Sequence, residues 1–96
     1  MVVRSQAWHS ERWRTQVAHL SASTLEELYA FAARIGLRRE WFQDHARWPH
    51  YDLMGRMILK ADRAGAVACG GREYFRVALC RGKRVLGLGG SGGGDG

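Results

Sequence analysis

The 96-residue sequence predicts an α+β domain, a small sheet of short strands with two amphipathic helices packed on it. Three observations carry that expectation. Residues 21–36 hold a helix with a start signal, an apolar stripe and a stop signal. Short β-branched or alternating runs lie on either side of it. The stretch Arg38–Asp52, RREWFQDHARWPHYD, gathers two of the four Trp, two of the four His and the only Pro. Large aromatic side chains dominate small cores and need polar partners for their N–H and O–H groups, so this stretch is expected to fasten the two halves together. One domain over 1–88 is expected, with a Gly-rich tail at 89–96 that has no side chains to bury.

In chain order, Met1–Arg4 is a short β-branched strand and Thr15–Leu20 alternates as a half-buried strand does. The polar run between them, with Trp8 and Trp13, suits a loop or irregular hairpin. Ser21–Gly36 starts with a capping box, either Ser23 with Glu26 or Thr24 with Glu27. Leu25, Leu28, Tyr29, Phe31, Ala32 and Ile35 follow at helical spacing, and Gly36 supplies the left-handed stop. Leu37–Gln43 predicts one or two further helical turns that turn Trp41 and Phe42 inward. Asp44–Pro49 is a loop, since Pro49 forces Trp48 to an extended backbone. Leu53–Ala64 predicts a second helix, with Met54, Met57, Ile58, Ala61 and Ala64 on one face and Arg56, Lys60 and Arg63 on the other. Ala66–Cys69 is a strand, and Tyr74–Cys80 with Arg84–Leu88 reads as a β-hairpin.

Fifteen basic residues stand against nine acidic, for a net charge of +6. The excess lies late: from residue 53 onward, eight basic residues face three acidic ones. Such a half suits an anionic partner, a nucleic acid or nucleotide, although Arg serves carboxylates as well as phosphates. No apolar run approaches the roughly 20 residues of a membrane span, and the first residues lack a signal-peptide apolar core, so a cytoplasmic protein is expected. Cys69 and Cys80 are not in a C-x-x-C pair and are expected to be reduced.

The run HLSASTLEELYAFAARIGLRREWFQ, then WPHYDL, then KADRAGAV, resembles the family known as domain of unknown function 4031, short proteins of phages and bacteria. The resemblance rests on His19-Leu20, Thr24 to Leu28, Trp41-Phe42-Gln43, His50-Tyr51-Asp52 and Arg63-Ala64-Gly65-Ala66, and spans about residues 17–67. It implies a phage or prophage accessory protein and carries no biochemical activity with it. Relatives typically end their first strand in an Asp-Asp pair, whereas this chain reads VVRSQAW there. The segment MGRMILKAD is also more apolar than the family pattern.

His19, His50 and Asp52 are the candidate catalytic residues: imidazoles with a carboxylate can act as an oriented general base or ligate a divalent metal. Their alternative role is structural, with Asp52 as the N-cap of the following helix. Arg72, Arg76, Arg81, Lys83 and Arg84, with Tyr74 and Phe75, make a basic, aromatic-interleaved hairpin that is the candidate binding surface, and Trp41, Trp48 and Tyr51 are further candidate binding residues. Alternation with Phe75, Val77 and Leu79 inward would leave those cations merely solvated. A zinc site from Cys69, Cys80, His19 and His50 lacks the close Cys pairing such sites use. No G-x-S-x-G elbow or phosphate loop is present. Two functions follow, the first as the leading expectation and the second as its alternative. One is a non-enzymatic binding module with a basic face for nucleic acid or a host protein complex, an anti-defence role included. The other is a small hydrolase or nucleotide-processing domain using the His/His/Asp set. A homodimer through Trp8 and Trp13 is a third, structural option, and the sequence identifies no cofactor.

Overall fold

The computed structural model describes residues 1–79. The chain begins with strand β1 (Val2–Arg4), and β2 (Trp8–Ser10) turns through Arg14, at φ 57°, into β3 (Thr15–Ala22). The segment between the first and third strands is thus a hairpin.

Helix α1 (Leu25–Ile35) has Thr24 as its N-cap, whose Oγ1 accepts from the Glu27 amide at 3.1 Å. Of the two capping boxes the sequence allows, the Thr24–Glu27 one forms, and only its first half. The Glu27 carboxylate turns instead to the Met1 ammonium at 2.6–2.7 Å. Gly36 ends the helix at φ 85°, and Leu37 N–H reaches back to the Ala32 carbonyl at 2.9 Å, closing a Schellman turn.

The next segment departs from expectation. Only a single 3₁₀ turn, Arg39–Trp41, precedes β4 (Phe42–Gln43), and Trp41 stays exposed while Phe42 packs between Tyr29 and Tyr51. The predicted helix over Leu53–Ala64 also starts later. His50–Met54 forms β5, and α2 covers Arg56–Arg63. Leu53 and Met54 are strand residues because β5 alternates: Tyr51 and Leu53 enter the core and Asp52 faces the other way. Gly55, at φ 56°, makes the bend between them, where a Cβ would meet Thr15 Oγ1 at 3.3 Å. Asp52 is therefore not the N-cap of the helix. A short strand β6 (Val67–Ala68) follows α2.

The expected hairpin beginning at Tyr74 is a helix over residues 71–79, α3. Its buried residues are Tyr74 and Ala78, four apart, while Phe75 and Leu79 are exposed. Helical spacing prevails over the apparent period of two because Tyr74 and Ala78 both pack on Val3 and Cys69. The second hairpin strand, Arg84–Leu88, and the tail at 89–96 lie outside the described residues.

The sheet order is β4-β5-β3-β1-β6, with β2 also paired to β3. All pairs are antiparallel except β1 with β6. One face carries α1 and α2 over a core of Ala18, Leu20, Ala22, Tyr51 and Leu53 with Leu28, Phe31, Ala32, Ile35 and Ala61. The other face holds a smaller cluster of Val3, Cys69, Tyr74 and Ala78, flanked by Trp48. Arg4 forks onto Asp62 with two bonds of 2.8 Å, tying the first strand to α2. Among the described residues no helix is long and apolar enough to cross a membrane.

Two substitutions separate packing from backbone conformation. Leu20→Ala is expected to cost about 2–5 kcal/mol through the cavity it leaves. Gly36→Ala is expected to cost about 1–2 kcal/mol from backbone strain alone, since its Cβ would meet only Lys60 Nζ at 3.7 Å. Urea unfolding of both variants checks the order, and a Gly36→Ala loss as large as that of Leu20→Ala would contradict it.

Candidate His-His-Asp site

His19 lies at the middle of β3 and Asp52 is its direct partner on β5, so both side chains leave the same face of the sheet. His50 is two residues before Asp52 on the same strand, which returns it to that face. Strand pairing alone thus assembles all three. His19 Nδ1 is 3.1 Å from Asp52 Oδ1, and His50 Nε2 is 3.6 Å from the same oxygen. One potential ligand atom from each residue falls within 4.8 Å of the others.

The surroundings fix each imidazole. At His19 the edge of β3 is shared between two short strands, and Ser5 fills the gap between them. Its N–H donates to the His19 carbonyl at 2.8 Å, and its Oγ accepts from the His19 amide at 2.9 Å. The His19 ring lies against Trp8 and Trp48, with centroids at 4.9 and 4.7 Å. His50 is buried and stacked on Trp48 at 3.8 Å and 18°. Its Nδ1 is 2.8 Å from the Trp48 carbonyl, which can only accept, so Nδ1 carries the proton and the neutral ring keeps its lone pair on Nε2. Trp48 is held in turn: its Nε1–H donates to the Tyr74 hydroxyl at 2.9 Å. Ser21 Oγ donates to the Pro49 carbonyl at 3.2 Å, anchoring the loop that carries Trp48.

Burial is the main influence on His50 and lowers its pKa below the ordinary 6.5. The Trp48 carbonyl and Asp52 oppose that shift, while His19 and His45 reinforce it. Asp52 also borders a cavity of about 390 Å³ lined by Trp13, Glu40, Trp41, Gln43, Met54 and Met57. That volume falls in the range of small-molecule sites, and it places two exposed indoles beside the carboxylate. Arg12 and Arg38 lie over those indoles at 5.1 and 5.9 Å.

Of the expected binding residues, Trp48 belongs to this centre and Trp41 to the adjoining cavity. Tyr51 does not reach either. It is buried in the core on the opposite face, where burial raises its pKa. Arg72 and Arg76 are on α3, with Arg76 paired to Glu73 at 2.7 Å. Arg81, Lys83 and Arg84 lie outside the described residues, as does Cys80, and Cys69 packs in the small cluster under α3. Trp8 and Ser5 escaped the sequence reading as parts of the site, and Tyr74 entered it only as part of the basic hairpin, not as the partner of Trp48. The available signal was the His-x-Asp spacing in HYDLM, which on a strand puts both polar groups on one face.

The lowered pKa has a consequence for stability. The unfolded chain takes up a proton at His50 more readily than the folded one. The contribution of His50 is therefore in place above about pH 6.5 and is lost as pH falls through the lower folded value. Long-range ¹⁵N NMR at neutral pH is expected to show His50 with Nδ1 protonated and Nε2 bare, titrating below 6.5. An Nε2-protonated His50 would refute the assignment.

The family model described as "Protein of unknown function (DUF4031)" matches residues 2–81. No curated protein and no solved structure matches the chain.

Proposed function

The chain belongs to the DUF4031 family of proteins of unknown function, and from the geometry of its centre we propose that it is a small hydrolase or nucleotide-processing domain acting through His19, His50 and Asp52. The observation that carries this reading is one carboxylate oxygen, Asp52 Oδ1, lying 3.1 Å from one imidazole and 3.6 Å from another at the border of an indole-walled cavity. The carboxylate accepts from His19 Nδ1–H, which leaves Nε2 of that ring as the basic nitrogen. A water molecule that gives Nε2 its proton attacks a phosphoryl or carbonyl centre bound beside Asp52. The bond from that centre to its leaving group breaks, and the proton held on Nε2 passes to the leaving group; an acid-oriented imidazole suits both transfers. The indoles of Trp13 and Trp41 offer apolar faces for a base or another flat ring.

A second reading is favoured by the net charge of +6 and by α3, where Arg72 and Arg76 flank an exposed Phe75 whose ring is 5.0 Å from Trp48. Here the chain is a phage-type accessory binding module whose basic face takes nucleic acid or a host protein. Retention on immobilised RNA or DNA across a salt gradient tests it, and binding that ignores salt would count against it.

For the hydrolase reading the test is release of product from a panel of phosphodiesters, nucleoside triphosphates and activated esters. His19→Gln, His50→Ala and Asp52→Asn are each expected to cut turnover by about 10²–10⁴-fold, while His9→Ala leaves it unchanged. Circular dichroism of each variant separates lost chemistry from lost fold. Undiminished turnover in folded His19→Gln and Asp52→Asn would remove the basis of this reading.

A further inference from the structure

We infer that His19 Nδ1, His50 Nε2 and Asp52 Oδ1 form a three-ligand site for a divalent first-row transition-metal ion, of which zinc is the probe of choice. The inference deepens the proposed function and rests on the same three side chains, but not on their catalysing anything.

The separations come first. Ligands bonded at about 2.0–2.2 Å to one ion lie roughly 3–3.6 Å from each other in tetrahedral or octahedral geometry. The two distances to Asp52 Oδ1, 3.1 and 3.6 Å, already have those values. One ligand atom from each of the three residues lies within 4.8 Å of the other two.

The second observation concerns protons. His50 spends its only N–H on the Trp48 carbonyl, so the Nε2 lone pair faces the carboxylate of Asp52 with no hydrogen of its own to offer. Two acceptors 3.6 Å apart repel one another unless something positive lies between them. A cation bound to both relieves that repulsion. When it binds, the His19 proton moves to Nε2 of that ring, which frees Nδ1 as the third ligand and would pass the activation of water from that nitrogen to the ion.

The third observation is the outer shell. Metal-bound imidazoles usually donate their other nitrogen's proton to a backbone carbonyl or carboxylate, and His50 already does so at 2.8 Å. Ser5 fixes the backbone of His19, and stacking on Trp48 fixes the ring of His50. Two nitrogens and one oxygen select borderline ions such as zinc, cobalt or iron(II). Calcium and magnesium want all-oxygen shells. Three protein ligands leave at least one position for water or substrate, and the partial exposure of His19 and Asp52 lets it be reached.

Tag-free full-length protein, stripped with chelator, is titrated with zinc by calorimetry and with cobalt by visible absorption. One equivalent of zinc is expected, with cobalt producing d–d bands and quenching tryptophan emission through the Trp48–His50 stack. Millimolar magnesium or calcium is expected not to compete. Asp52→Asn, His19→Gln and His50→Gln should each weaken zinc binding by about 100-fold or more, beyond the 10–100-fold typical of outer-shell losses. His9→Ala, remote from the cluster, should retain it. Failure to bind a stoichiometric ion, or full affinity in folded Asp52→Asn, overturns the inference. The two proposals fail separately. Turnover without bound metal and insensitive to chelator would leave the hydrolase and remove the metal, whereas stoichiometric zinc with no turnover on any substrate would leave the metal site and remove the hydrolase.

Discussion

The antiparallel pairing of β3 with β5 is the constraint on which the rest of the molecule depends. Along both strands alternate residues go to opposite faces. Leu20 with Tyr51, and Ala18 with Leu53, sit under α1 and α2, and the intervening pair, His19 with Asp52, must then stand on the far side. A slip of one residue would bury an imidazole and a carboxylate beneath two helices and expose Tyr51 and Leu53, at a cost of several kcal/mol. The energy that fixes the register is hydrophobic and lies on one face. The geometry it fixes is polar and lies on the other.

That polar group does not hold itself in place. Ser5 satisfies both backbone groups of His19 where the strand edge is interrupted. Trp48 presents its carbonyl to His50 Nδ1, stacks on the ring, and is tethered through its own N–H to Tyr74 on α3. The smaller apolar cluster of Val3, Cys69, Tyr74 and Ala78 is modest in size but positioned to hold Trp48. It packs as a support for the site more than as a second core.

The sequence announces α1 plainly, because Thr24, the leucine and phenylalanine spacing and Gly36 each report the same element by independent chemistry. It hides β5. Five residues are too few for a clear period, and Leu53 and Met54 run on into Met57, Ile58 and Ala61 at spacings a longer helix would also use. Misreading β5 as loop and helix start is what makes Asp52 look like a cap. The three polar residues can be named from the chain, yet their convergence depends on a strand too short to recognise. In α3 the misleading signal is the reverse one. Tyr74–Leu79 alternates well enough to suggest a strand, and only the packing of Tyr74 and Ala78 on β1 and Cys69 decides for the helix. The family match over residues 2–81 spans all three residues, and it rests on order and spacing and not on conformation.

Among the described residues the edge strands β4 and β6 are two residues long apiece, and β2, paired only to β3, is three. An open rim of backbone donors and acceptors invites another chain to add itself on, and proteins commonly blunt that hazard by keeping the border strands brief. Here the described borders are so abbreviated that an added strand would find only a couple of rungs to grip.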